Sequence, residues 1–141
     1  MRIAVIDGQG GGIGKNIVDK LRKGLPESVE IIALGTNSAA TTNMLKAGAN
    51  EGATGENAIV VTASKVDIIV GTIAILVANS MLGELTPQMA TAIGNSPARK
   101  ILLPINRCGI EIAGLVSEPL PHQIEKLVER LMNIWRDEYN V

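Results

Sequence analysis

The stretch Asp7-Gly8-Gln9-Gly10-Gly11-Gly12-Ile13-Gly14-Lys15 constrains this chain more than any other. An apolar run, Ile3-Ala4-Val5-Ile6, precedes it; Ile13, Ile17, Val18 and Leu21 follow at helical spacing. The order predicts a buried strand, a glycine loop and an amphipathic helix. Glycine lets a backbone turn sharply and approach a ligand, because no Cβ intervenes. A helix N-terminus behind such a loop offers unpaired N–H groups and a positive dipole end to an anion. One glycine suffices for a tight turn. Gly10, Gly11, Gly12 and Gly14 together exceed that need and weaken the helix start, so the pattern points to a phosphate-bearing ligand.

The rest of the chain continues the alternation. Gly24 and Pro26 stop the first helix, Val29 to Leu34 reads as a second strand, and Gly35-Thr36-Asn37-Ser38 caps a helix to about Ala47, closed by Gly48. A short strand is weakly signalled at Glu51–Ala53. Ala58 to Val61 has strand propensity, but the link to the next apolar run, Asp67–Val70, is too short for a parallel crossover. A helix from about Glu56 to Lys65, capped by Thr54, is therefore preferred. Thr86 as N-cap, Pro87 at the first helical position and Gly94 after the end mark another helix. Lys100 to Ile105 is the next strand. The short connection Asn106-Arg107-Cys108-Gly109 to Ile110–Leu115 predicts an antiparallel hairpin at the sheet edge. A final helix starts near Pro121, with Ile124, Leu127, Val128, Leu131 and Trp135 on one stripe. The expected fold is a single α/β domain over residues 1–141: a three-layer Rossmann-like sheet, mostly parallel, with the first strand central and an antiparallel edge strand.

Composition removes several classes of function. Net charge is −1, Phe is absent, and Trp135 and Tyr139 both lie near the C-terminus, so neither a basic footprint nor a base-stacking platform for nucleic acid is present. The longest apolar stretch, Ile68 to Ala78, is shorter than the ~20 residues a membrane helix needs. Cys108 is the single cysteine, which suits a reducing cytoplasm, and one His with one Cys cannot build a zinc site, so no metal is expected. With 46% hydrophobic residues in a small domain, a homo-oligomer, most simply a dimer, is expected.

Two motif families bear on the loop. Gly8, Gly12, Ile13 and Gly14 form G-x-x-x-G-I-G, which resembles the cofactor loop of short-chain dehydrogenases over about the first 35 residues. That resemblance implies a dinucleotide, NAD or NADP. Two features of that family are missing. No acid follows the second strand to hold ribose hydroxyls, and no Tyr-x-x-x-Lys is present, so the dehydrogenase chemistry does not carry over. Gly11-Gly12-Ile13-Gly14-Lys15 resembles a deviant NTPase phosphate loop, but Asn16 stands where magnesium needs a hydroxyl. The whole chain, through MRIAVIDGQGGGIGK, AGANEGATGENAIVV, ANSMLGELTP and INRC, resembles a small bacterial family described only as a domain of unknown function. The resemblance implies a complete protein rather than a fragment, and it points to no particular activity.

The candidate binding set is Asp7, Gly8, Gln9, Gly10, Gly11, Gly12, Ile13, Gly14, Lys15, Thr36, Asn37 and Arg107. Asp7 has two readings, a contact to ribose or cation and a turn residue bonding loop N–H groups. Lys15 pairs with a phosphate or is a solvated lysine. Thr36 and Asn37 contact an adenosine ribose or simply cap a helix. Arg107 is an anion clamp candidate. Cys108 is a nucleophile candidate without an evident partner, and an inert half-buried thiol is the plainer reading. His122 reads as helix-start surface. Two functions stand: an NAD(P)-type enzyme drawing on Arg107 or Cys108, and a non-catalytic nucleotide-sensing or interaction module. A degenerate, non-hydrolysing phosphate loop is a further alternative. The ligand expected is a nucleotide or another phosphorylated or anionic small molecule; the alternative is a glycine cluster that makes a tight strand-to-helix turn and binds nothing.

Overall fold

The protein is described here by a computed structural model, covering residues 1–105 and 108–141. A five-stranded sheet, all of it parallel, runs in the order β3-β2-β1-β4-β5. The strands are β1 (Arg2–Asp7), β2 (Glu30–Gly35), β3 (Glu51–Thr54), β4 (Ile68–Thr72) and β5 (Arg99–Leu103). The helices are α1 (Gly12–Gly24), α2 (Ser38–Lys46), α3 (Glu56–Thr62), α4 (Pro87–Asn95) and α5 (Leu120–Tyr139). Single-turn 3-10 segments occupy Ile73–Leu76 and Met81–Gly83.

The alternation of side chains along β1 builds two cores. Ile3 and Val5 pack with Ile17, Leu21, Met44, Leu127 and Leu131 on the face covered by α1, α2 and α5. Ala4 and Ile6 pack with Ile59, Ile75, Met89 and Ile93 on the face covered by α3 and α4. Because β1, β2 and β4 are covered on both faces, their sequences are continuous apolar runs rather than alternating ones. The helix preferred over residues 56–65 is present, shortened to Glu56–Thr62. Its N-cap is Gly55, not Thr54; Thr54 ends β3, and its hydroxyl pairs with that of Thr41 at 2.7 Å. The weakly signalled strand at 51–53 is β3.

The antiparallel edge strand is not formed: residues 110–115 carry no strand. The reason lies in α5. Its last turn is at the amino edge of the sheet, where the Met1 ammonium donates to the Tyr139 hydroxyl at 3.3 Å. So α5 must begin at the carboxyl edge, where β5 also ends. A strand running back along β5 would deliver the chain to the wrong edge. Residues 108–119 instead follow an irregular path, with Gly109 and Gly114 at φ +68° and +82°.

Candidate functional site

β1 ends on Asp7, which is only 8% exposed. Its carboxylate accepts the Gly8 N–H at 2.8 Å and the Gly14 N–H at 2.7 Å. Burial raises the Asp7 pKa above the ordinary aspartate value; the two N–H bonds oppose that, and the nearby Glu84 charge adds to it. Asp7 therefore acts as the turn residue, tying β1 to the first turn of α1.

The glycines of the loop divide into two groups. A Cβ on Gly8 would meet Thr36 Oγ1 and the Met81 sulfur, and one on Gly14 would meet Met44 and Asp7 within 3 Å. Gly11 has φ +69°, and its Cβ would lie 2.7 Å from the Ala40 Cα. These three are required by packing or by backbone conformation. Gly10 and Gly12 are not: neither has a left-handed φ, and a Cβ on either would have nothing within 4 Å. Gly11 is the N-cap of α1 and supplies no side-chain cap. The N–H groups of Gly12 and Ile13 have no partner among the described residues. Lys15 is exposed in the same turn and makes no ion pair among the described residues.

Beside the loop, the carboxyl ends of β1 and β4 frame a cleft of about 380 Å³. Asp7, Gln9 and Ile13 line one wall; Thr72, Met81 and Leu82 line the other; Ile105 and Cys108 close the far side. In this strand order the direction of winding reverses between β1 and β4, which is where open α/β sheets bind ligands. A hollow of about 400 Å³ adjoins it under residues 110–118. It lacks the loop's N–H groups, so the cleft at the winding reversal is the candidate site.

On the other flank of β1 the expected ribose contacts are already engaged. Asn37 caps α2 by accepting the Ala40 N–H at 2.9 Å. Its amide donates to the Gln9 carbonyl and to Glu84 Oε1, both at 2.8 Å. Thr36 Oγ1 donates to the same Glu84 oxygen at 2.6 Å, and the Gln9 N–H at 2.9 Å. The Thr36 hydroxyl, then the Gln9 N–H and the Asn37 amide, hold the Glu84 pKa below the ordinary glutamate value despite partial burial. Glu84 was not among the residues singled out by sequence. It lies 48 residues from Thr36, in a turn with no periodicity to mark it. Its neighbours Asn79, Met81 and Leu82 have left-handed backbones, at φ +65°, +57° and +56°, and Leu82 is 97% exposed. Each such non-glycine residue costs about 1 kcal/mol or more, so the turn is held by its surroundings. Asn79, Gly83 and Leu85 N–H groups all bond within it.

Arg107, the anion clamp candidate, and Asn106 lie outside the described residues. Cys108 is half-buried at the cleft, and His122 is exposed at the start of α5. No helix is long and apolar enough to cross a membrane, and no cluster of three or more metal-ligating side chains occurs among the described residues.

Comparison with solved structures finds a similar fold in a dodecameric FMN-dependent Ubix-like decarboxylase from Escherichia coli O157:H7. The TM-score is 0.52 at 13% identity, covering 100% of this chain and 96% of that one. At that identity the likeness establishes the Rossmann-like architecture alone. Comparison with curated proteins gives no match. The likeness of the loop to short-chain dehydrogenases is not shown by any of these comparisons. The whole-chain resemblance is borne out over nearly the whole length: the chain belongs to the family described as a domain of unknown function (DUF3842), which matches residues 2–136.

Proposed function

We propose that the glycine loop and the β1–β4 cleft bind a phosphate-bearing nucleotide. The observation that carries this reading is the pair Gly10 and Gly12. The fold does not need glycine at either position, yet both face open space beside the Gly12 and Ile13 N–H groups, which have no partner among the described residues. A phosphate approaching those groups uses the space that a Cβ would fill. Lys15 supplies the nearby positive charge. The fold neighbour's FMN dependence supports a nucleotide with a flat ring.

Binding is favoured over catalysis. Among the described residues, the titratable groups lining the cleft are Asp7 and Cys108, and Asp7 is occupied by two N–H groups. A sensing or interaction module therefore fits better than an acid–base enzyme. Assembly with further copies of the chain, in the cytoplasm, completes the proposal. The neighbour is dodecameric, and Ile112, Leu115 and Val116 are exposed beside the cleft.

Thermal melts with FMN, NAD, NADP, ATP and GTP test the reading. A ligand at 100 times its dissociation constant adds about 2.7 kcal/mol of stability. The expected result is such a shift for at least one nucleotide and its loss in Gly12→Val, which circular dichroism should show to be folded. No shift with any of them at millimolar concentration contradicts it.

A further inference from the structure

We infer that Glu84 is the specificity-determining residue of this site: it seals the β2 flank of the glycine loop and restricts the ligand to a mononucleotide. This rests on the nucleotide-binding reading above and deepens it.

A dinucleotide on a doubly wound sheet straddles the first strand. One nucleoside lies over the end of the second strand, the pyrophosphate crosses the glycine loop, and the other nucleoside lies on the far flank. Here the crossing point is occupied. An ideal Cβ on Gly8 falls 2.6 Å from the Met81 sulfur and 3.1 Å from Glu84 Oε1, so both side chains lie directly against Gly8. That one carboxylate oxygen takes three donors: the Gln9 N–H, the Thr36 hydroxyl and the Asn37 amide. Those are the groups at the loop and at the end of β2 that a ribose or second phosphate would need. A pyrophosphate crossing there would meet a carboxylate charge and find its donors spent.

The β4 flank is different. Its cleft of about 380 Å³ adjoins the free N–H groups and is lined by Thr72, Leu82 and Ile105. Small-molecule sites fall in the range of about 300–1,000 Å³, so this one is at the small end and suits one nucleotide unit. The turn that carries Glu84 keeps left-handed Asn79, Met81 and Leu82, which places Met81 and Leu82 on the wall of that cleft. One segment thus closes the first flank and lines the second.

Calorimetric titration of the full chain with two matched pairs, FMN against FAD and AMP against NAD, tests the assignment. The wild type should bind the mononucleotide of at least one pair more tightly than its dinucleotide by about tenfold or more. Glu84→Ala should improve dinucleotide binding and bring that ratio below about 3, with Glu84→Gln in between. Glu84→Gln keeps an oxygen acceptor and is the control if Glu84→Ala melts too low to titrate. A merely structural role would weaken both ligands of a pair equally and leave the ratio unmoved. Equal or tighter dinucleotide binding by the wild type, or an unchanged ratio in the variants, overturns this inference and leaves nucleotide binding standing. Failure of all four ligands to bind overturns this inference, and failure of NADP, ATP and GTP as well overturns the underlying reading.

Discussion

On its β2 flank, the carboxyl end of β1 is filled by protein; on its β4 flank it is open. Gly8 abuts Thr36, Gly11 abuts the Ala40 backbone, and Thr36 and Asn37 share one Glu84 oxygen. Toward β4 the loop borders a cleft through Asp7, Gln9 and Ile13, and at the start of α1 it carries two glycines with open space around them and two N–H groups without a partner among the described residues. The difference teaches that a glycine-rich loop is not one feature. Some of its glycines answer to the fold and others to whatever occupies the space above it, and only the packing around each separates them.

Substitutions at the two kinds of glycine should break this division if it is wrong. Gly11→Val has the largest expected effect. It forces a β-branched residue to φ +69° and drives a Cβ to 2.7 Å from a helix backbone atom. A loss of about 3 kcal/mol or more in urea unfolding is expected. A loss below about 1 kcal/mol would show that the β2 flank is looser than described.

Glu84→Ala comes next. It removes a charged acceptor from three donors, and a loss of about 2 kcal/mol is expected, because charged hydrogen bonds lie in that range. Its pH dependence has a definite sign. The folded-state pKa is lowered, so the stabilisation is present above the unfolded glutamate pKa and is lost as pH falls through the folded one. The stability gap between wild type and Glu84→Gln should therefore shrink on acidification below the ordinary glutamate range. Asp7 has the opposite sign. Its pKa is raised, so ionisation between the ordinary aspartate range and the raised value favours the unfolded chain. The native state should lose stability to Asp7 as pH rises through that window, a trend that Asp7→Asn removes. A gap that widens on acidification in the first pair contradicts the electrostatic description.

On the open flank, Lys15→Gln should weaken nucleotide binding by about 1–2 kcal/mol in calorimetry, the scale of one charge-assisted hydrogen bond. Unfolding should be nearly unaffected, because Lys15 makes no ion pair among the described residues. Gly12→Ala is the smallest effect on the fold and the sharpest test of the comparison. Nothing lies within 4 Å of the added Cβ, and alanine is the better helix former. Stability should hold or rise by about 0.5–1 kcal/mol while nucleotide affinity falls. A clear loss of stability would mean that Gly12 belongs with the packed glycines.

Legibility in the sequence followed the range of the interactions. The β1–loop–α1 unit is local: its apolar run, glycines and helical stripe are contiguous, and the central place of β1 follows from setting the glycine loop at a switch point. The helix at Glu56–Thr62 was legible only through topology, because Ile59, Val60 and Val61 have strand propensity. Residues 110–115 misled for the converse reason. Their local signal is that of a strand, but α5 must start at the carboxyl edge, a constraint set by contacts at Met1 and Tyr139. Asp7 at the tip of β1 was visible as a loop residue, and its carboxylate accepts the Gly8 and Gly14 N–H groups while lining the cleft. Glu84 was not legible at all. Its three partners are 75, 48 and 47 residues away, and a lone acid in a turn looks like solvated surface.

The central claim is that a phosphate meets the free N–H groups at the start of α1, and amide NMR on the uniformly ¹⁵N-labelled chain tests it most directly. Titration with FMN or AMP should shift the Gly10, Gly12 and Ile13 amide resonances saturably. The corresponding nucleosides, riboflavin and adenosine, should move them far less, because the phosphate carries the contact. The Gly14 amide, held by the Asp7 carboxylate, should move least within the loop. Unmoved Gly12 and Ile13 amides at millimolar nucleotide, or equal shifts with the nucleosides, would contradict the claim.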